Sequence, residues 1–460
     1  MTSSPKFLQS LEILAFLLCS VHAWIPSTLS SSSRIGGGES RLCSSTVVDI
    51  TPLTQITSPL SLDFDDLTKS LEKGVGRSRA VWDCYRMGID PMIMYDASVD
   101  DSQLDASINA VLLDVHDTPS ITKFWKREDL KQLITSKRRN QGLGKPALES
   151  LKQICENPIE ESIATISDIS IAKDGTTKLL VKLIQDDLEV ETVIIPWEET
   201  GRSTLCISSQ VGCRQGCRFC ATGRMGKLRN LSTDEILSQV FLARKVCRVL
   251  DIYPVDGVVF MGMGEPADNA NNVVQAAKVL TNQEQFGMAQ RKVTISTVGP
   301  SPEAFKVLGQ APTALAWSVH ASQDDLRKEL VPTTKYTMAE LRKGYLDALL
   351  QRPVKLRTTM LEIALIDGIN DSTQDADHLA TFVQEMINDV PGMKPMVNLI
   401  PFNDIGFEKY KKPRVEQVWA FQERLTSKGI KSFVRTTRGD EESAACGQLA
   451  TKKKKPIRQS

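Results

Sequence analysis

Ten cysteines occur in the 460-residue chain, and four of them crowd into the stretch CISSQVGCRQGCRFCATG, Cys206 to Gly223. Cys213, Cys217 and Cys220 have C-x3-C-x2-C spacing, and Cys206 stands seven residues ahead of them. A structural zinc ion takes four protein ligands, usually Cys and His. The nearest histidines in sequence, His116 and His320, are each about 100 residues away. A disulfide scheme leaves one thiol of the trio over. A four-iron cluster held by three thiolates matches the count and keeps one iron free for a small ligand.

Those thiols must be carried by a fold. From Thr204 onward strand-like apolar runs alternate with helical segments, the rhythm of a parallel sheet or barrel. The runs are Val258-Val259-Phe260, Val293-Thr294-Ile295, Ala314 to Trp317, Lys355 to Leu361, Met396 to Leu399 and Ser432-Phe433-Val434. Most lead soon into polar residues or glycine: Gly264-Glu265, Ser296, Ser318 with His320, Asn403, and Arg438-Gly439-Asp440. In α/β barrels functional groups gather beyond the strands' C-terminal ends. Ser232-Thr233-Asp234-Glu235 forms a capping box that opens a helix. The fold class expected is α/β, a partial (β/α) barrel with an N-terminal helical accessory domain and a small β segment. In that segment, 161–200, Lys173-Asp174-Gly175-Thr176 lies between apolar runs as a hairpin turn.

The accessory region, 59–160, is read as helical and RNA-binding. Arg79, Trp82 and Arg86 are spaced to share one helical face, which either rests on RNA or packs in the ordinary way. Lysine and arginine total 56, as do aspartate and glutamate, so net charge argues neither for nor against nucleic acid. Lys137-Arg138-Arg139 and the basic tail 451–460, with Lys452 to Lys455, are candidate phosphate contacts.

The first residues look like an address. Lys6 precedes the apolar run Ile13 to Leu18, which closes at Val21-His22-Ala23 and is too short to span a bilayer comfortably. Residues 1–23 are read as a signal peptide. Residues 24–58 are read as a transit-like leader, because they are rich in serine and poor in acids. Together they are similar to the two-part presequences of algae with complex plastids. The expectation is the plastid stroma without stable membrane association; mitochondrion and cytoplasm are the alternatives.

Further stretches narrow the chemistry. LCISSQVGC, FCATGRMG, RNLSTDEI, VVFMGMGEP, RKVTISTVG, SVHAS, VNLIPFN and VRTTRGDEESAACGQLA occur in this order. The three-cysteine loop, with Phe219 before its last thiol, resembles the radical S-adenosylmethionine superfamily. The whole set resembles the RNA adenosine methyltransferases of the RlmN/Cfr group, across about Val190 to Ala450 within the core 201–450.

The resemblance implies a 4Fe-4S cluster on Cys213, Cys217 and Cys220, and S-adenosyl-L-methionine bound by Gly264, Glu265, Ser296, Ser318, Val319, His320 and Asn403. It implies that Cys446 carries a methyl group to carbon 2 of adenine, an electrophilic position with no lone pair. Cys206 would then release the RNA by closing a disulfide with Cys446, and Glu191 would accept a proton. The implied partners are large-subunit rRNA, tRNA with its adenosine beside the anticodon, and a reductant such as flavodoxin or ferredoxin. The rivals are methylation at carbon 8 and a non-catalytic RNA-binding factor that keeps the cluster for structure. Two departures from the group's pattern, Lys227 and the run Val331 to Lys335, leave the sulfur chemistry untouched.

Overall fold

The computed structural model describes residues 58–71, 74–111, 123–135, 142–390 and 393–450. The leader up to residue 57, Lys137-Arg138-Arg139 and the basic tail therefore lie outside the described residues. Among the described residues no helix is long and apolar enough to cross a membrane.

Twelve strands are described: β1 (Ala164–Ile171), β2 (Thr177–Leu183), β3 (Glu189–Trp197), β4 (Arg202–Cys206), β5 (Gln210–Cys213), β6 (Gly226–Asn230), β7 (Val255–Phe260), β8 (Val293–Thr297), β9 (Ala314–Ser318), β10 (Thr359–Leu365), β11 (Met396–Pro401) and β12 (Ser432–Val434). Ten form one sheet in the order β1-β2-β3-β4-β7-β8-β9-β10-β11-β12, while β5 and β6 pair as a separate antiparallel ribbon. The first four strands pair antiparallel, and from β4 onward every pairing is parallel. Burial follows the topology. Strand β2 alternates strictly between buried and half-buried positions, whereas every residue of β8 is buried. That contrast is expected of a one-faced hairpin strand and a parallel strand covered on both faces.

The β segment is continuous with the barrel, because Val193 of β3 pairs directly with Cys206 of β4. The turn after β1 forms where Asp174-Gly175 stands, with Gly175 at φ +78°. The strand expected from Lys355 starts late. Val354–Leu356 is a single helical turn and β10 begins at Thr359.

The helix Thr233–Val249 opens on the expected box, with Ser232 accepting from the Glu235 amide and Glu235 accepting from the Ser232 amide. The N-terminal helices pack against it. Trp82 is fully buried and meets Phe286 edge-on at 5.2 Å, and Tyr85 meets Phe241 at 5.8 Å. Gly88, at φ +62°, comes so near the Lys245 backbone that a Cβ would stand 2.4 Å from its nitrogen. Arg79 pairs with Glu284 at 2.8 Å, and Arg86 donates to the Gln283 and Gln285 carbonyls. The Arg79–Trp82–Arg86 face thus packs against the barrel rather than facing out toward RNA.

Candidate active site

The three expected iron ligands are set by the β5–β6 ribbon and the loop that leaves it. Cys213 ends β5; Cys217 and Cys220 follow in a turn closed by the Cys220 amide donating to the Cys217 carbonyl at 3.1 Å. Gly212 makes the ribbon possible: at φ +74°, a Cβ there would fall 1.9 Å from the Gly226 carbonyl oxygen. All three cysteines line a cavity of about 930 Å³ at the C-terminal ends of the parallel strands. The same cavity is walled by Gly264, Glu265, Ser296, Ser318, His320, Asn403 and Cys446.

The three are free thiols, and burial holds each above its ordinary pKa, Cys213 at about 12. Buried sulfurs of this kind ionise when a cation takes the proton's place. Among the described residues no three His, Cys, Asp or Glu side chains converge on one point as they would around a single metal ion. An iron–sulfur cluster takes each thiolate on a separate iron, and three free thiols from one short stretch lining one cavity match that donor set. A four-iron cluster here would be held by Cys213, Cys217 and Cys220.

The neighbouring groups are engaged in ways that fix their orientation. Glu265 accepts from Thr297 Oγ1 at 2.5 Å, from the Val298 amide at 3.0 Å and from the Ala267 amide at 2.9 Å. Burial nevertheless raises its carboxyl to about 7, with those bonds pulling the other way. Gly264 sits at φ +108°, where a Cβ would run into Gln210 at 2.7 Å. Ser296 and Ser318 share a hydrogen bond at 3.0 Å. His320 is buried at φ +57°, with its ring 4.4 Å from Phe219. Its Nδ1 accepts from the Ala364 amide, and burial followed by Arg327 holds its pKa well below the ordinary value. The ring is therefore neutral, with its proton assigned to Nε2. Val319 does not line the cavity; it is fully buried and its carbonyl accepts from Arg327.

Cys446 lies on the segment that follows β12. It lines the main cavity and also a smaller adjoining one of about 560 Å³, where it meets Cys206, Met261 and Arg435. Cys206 ends β4, buried, and its thiol is pushed up to about 12 by burial and then by the neighbouring Cys446. Both are free thiols, so the implied disulfide is not formed in this structure. Arg435, half-buried, has its pKa raised, first by Cys446, with Glu362 and Cys206 adding to the effect.

The segment carrying Cys446 is tied at both ends. Asn403 donates to the Cys446 carbonyl at 3.0 Å, and the Ala221 amide donates to the Gly447 carbonyl at 2.7 Å. At the other end of the sheet, Asp174 accepts from the Gly439 amide at 3.1 Å and Lys178 donates to the Glu442 carbonyl at 2.6 Å. Glu191 belongs to this tether. Its carboxylate accepts from the Ala450 amide at 2.7 Å and pairs with Lys178 at 3.4 Å, and it lines neither cavity. Burial raises its pKa despite both partners.

Four charged residues escaped sequence reasoning: Arg327, Glu362, Arg435 and Lys178. Glu362 is buried, accepts weakly from Asn398 and Ser296, and walls the cavity. An acid inside the apolar run Leu361 to Leu365 was the available signal for it. Arg327 is buried and holds the Ser318 and Val319 carbonyls at 2.8 and 2.7 Å.

A parallel α/β sheet with three cysteines on one loop at its C-terminal mouth defines a radical SAM enzyme, and the Radical SAM superfamily profile matches residues 207–380. Among curated proteins, the dual-specificity RNA methyltransferase RlmN of Francisella tularensis subsp. novicida is 39% identical over 312 residues, covering 67% of this chain and 80% of that protein. The probable dual-specificity RNA methyltransferase RlmN 1 of Protochlamydia amoebophila is 37% identical, covering 68% and 85%. Among solved structures, a radical SAM methyltransferase from Sphaerobacter thermophilus superposes with a TM-score of 0.59 at 30% identity, covering 76% of this chain and 97% of that one. The chain belongs to the RlmN family of radical SAM methyltransferases.

Proposed function

We propose that the protein methylates carbon 2 of an adenosine in large-subunit rRNA near the peptidyl-transferase centre, and of the adenosine beside the tRNA anticodon, through a methylated Cys446. The observation that carries this reading is that Cys446 lines the cavity of the three-cysteine loop and also shares a second cavity with Cys206. When bound, the cluster and S-adenosylmethionine supply a methyl group and, by one-electron cleavage of the sulfonium, a hydrogen-abstracting radical. Cys446 accepts the methyl group, loses a hydrogen atom from it, and bonds through that carbon to the base. Arg435 lies beside both thiols, and its charge works against the rise that burial imposes on the Cys206 thiol. After the base gives up one electron and its carbon-2 proton, Cys206 attacks the Cys446 sulfur. The S–S bond replaces the S–C bond to the RNA, whose electron pair and a proton complete the methyl group. Two electrons from the reductant reopen the disulfide. Glu191 keeps the proton-acceptor assignment by resemblance, and its raised proton affinity suits that work.

Both relatives belong to the RlmN side of the RlmN/Cfr group, which supports carbon 2 over carbon 8. Both rRNA and tRNA remain the substrates in this reading, with a flavodoxin or ferredoxin as reductant and the plastid stroma as the site of action. A fluorescent fusion of the leader tests the location. The activity is tested by anaerobic reconstitution with iron and sulfide, then incubation with labelled S-adenosylmethionine and either RNA. Label on carbon 2, and a covalent protein–RNA species in Cys206→Ala, are the expected results. An active wild type whose Cys206→Ala variant never traps RNA refutes the division of labour between the two thiols.

A further inference from the structure

At the opposite end of the barrel lies a cavity of about 1460 Å³, lined by Arg86, Lys123, Trp125, Arg244 and Arg248, with Asp251 as the acid in its wall. It opens beside Val255, the first residue of β7, whereas Glu265 and the cysteines lie past that strand's far end. Six residues of strand separate the two ends by about 20 Å. The cavity is therefore distinct from the candidate active site.

Its charge is unbalanced. Arg86 has an ion pair with Asp83 at 3.1 Å. Lys123, Arg244 and Arg248 form no ion pair among the described residues. Arg244 lies over the Phe286 ring at 5.1 Å, while Lys123 and Arg248 lie over Trp125 at 4.4 and 6.0 Å. One guanidinium nitrogen of Arg248, Nη1, is buried with no hydrogen-bond partner. Three cations thus face one carboxylate. The C-terminus of the helix Thr233–Val249 adds only about half a negative charge. Aromatic faces hold the two arginines in place, and a bidentate oxyanion would satisfy both the excess charge and the open donor.

We propose that this cavity is a binding site for a phosphate group. The proposal does not rest on the methyltransferase reading. Two sources present the same chemistry, a free polyphosphate and the backbone of an RNA, and the test separates them. Pyrophosphate is titrated into the full-length protein without RNA by calorimetry, at fixed ionic strength with sulfate as a comparison. Saturable one-to-one binding is expected, weakened about tenfold or more in Arg248→Gln and in Lys123→Gln. Lys123 is exposed, so that variant keeps the test valid should the arginine variant fold poorly. In parallel, the salt dependence of binding to a large-subunit rRNA fragment is measured. A slope lower by about one to two in the double variant assigns the site to RNA phosphate. An unchanged slope together with lost pyrophosphate binding assigns it to a free phosphate compound. No saturable pyrophosphate binding, with equal RNA slopes in all proteins, means that the charge is met within the chain and overturns the proposal.

Discussion

Replacing Glu265 by glutamine should alter how stability depends on pH. The carboxyl is buried, and its pKa rises from the ordinary 4.5 to about 7. Between those values the folded state holds a proton that the unfolded state releases, so stability falls as pH rises through the window and levels off above it. The displacement corresponds to about 3 kcal/mol of stability forgone at pH 8. Glutamine cannot ionise and removes this slope. It also presents an NH2 group to the Val298 amide, which now donates to Glu265 Oε2, and that costs a constant amount at every pH. The comparison is therefore the change in the difference between wild type and variant from pH 5 to pH 8, read by urea unfolding of cluster-free protein. Other raised carboxyls, Asp90 and Asp234 at about 6, slope both proteins alike and cancel. A gap that moves by about 2.5 kcal/mol in the variant's favour is expected, because part of the slope lies below pH 5. In the proposed reading the same carboxylate receives the cofactor's ammonium, so wild-type affinity for S-adenosylmethionine should fall about tenfold per pH step below 7. Parallel stability curves for the two proteins would refute the argument that burial, rather than its bonds to Thr297 and Val298, governs this acid.

Asp174→Ala removes the acceptor for the Gly439 amide and for its own turn at Thr176. A loss of roughly 1–2 kcal/mol in docking the Cys446 segment should raise the alkylation rate of that thiol by about tenfold, with the global unfolding midpoint little changed. Lys178→Met leaves Glu191 buried without its cation and should cost about 3–5 kcal/mol. Adding Glu191→Gln should restore most of that loss, which a double-mutant cycle in urea checks. Trp82→Ala empties a fully buried site between the helical region and the barrel. It should destabilise by about 3–5 kcal/mol, and a loss under 1 kcal/mol would contradict the packing described for that face.

The legible parts of this protein share one property: their partners are close in sequence. The iron-ligand loop lies within Cys213 to Cys220, the capping box within four residues, and the hairpin around Asp174-Gly175. The apolar runs from Val258 to Val434 located six strands of the parallel sheet, and only β10 started later than its run implied. What escaped depends on contacts between distant segments. Helical spacing put Arg79, Trp82 and Arg86 on one face, but Glu284 and Phe286, about 200 residues on, decide that the face turns inward. Lys178 looks like an ordinary outward strand residue until the chain's last described segment brings Glu442 against it.

The same long-range logic gives the β segment a purpose that its own residues do not announce. Strands β1 and β12 are the two ends of the sheet, and neither pairs further. The segment after β12, which carries Cys446, reaches back to the turn between β1 and β2 and bonds there through Asp174 and Lys178. The hairpin thereby supports one side of the segment while Asn403 and Ala221, at the mouth of the barrel, support the other. A thiol that must first meet a cofactor and then Cys206 needs a segment that is positioned yet releasable. The hydrogen bonds at its two ends, each worth about 1 kcal/mol, are the releasable part of that hold, beside Ala444 and Leu449, which are buried in the main apolar core.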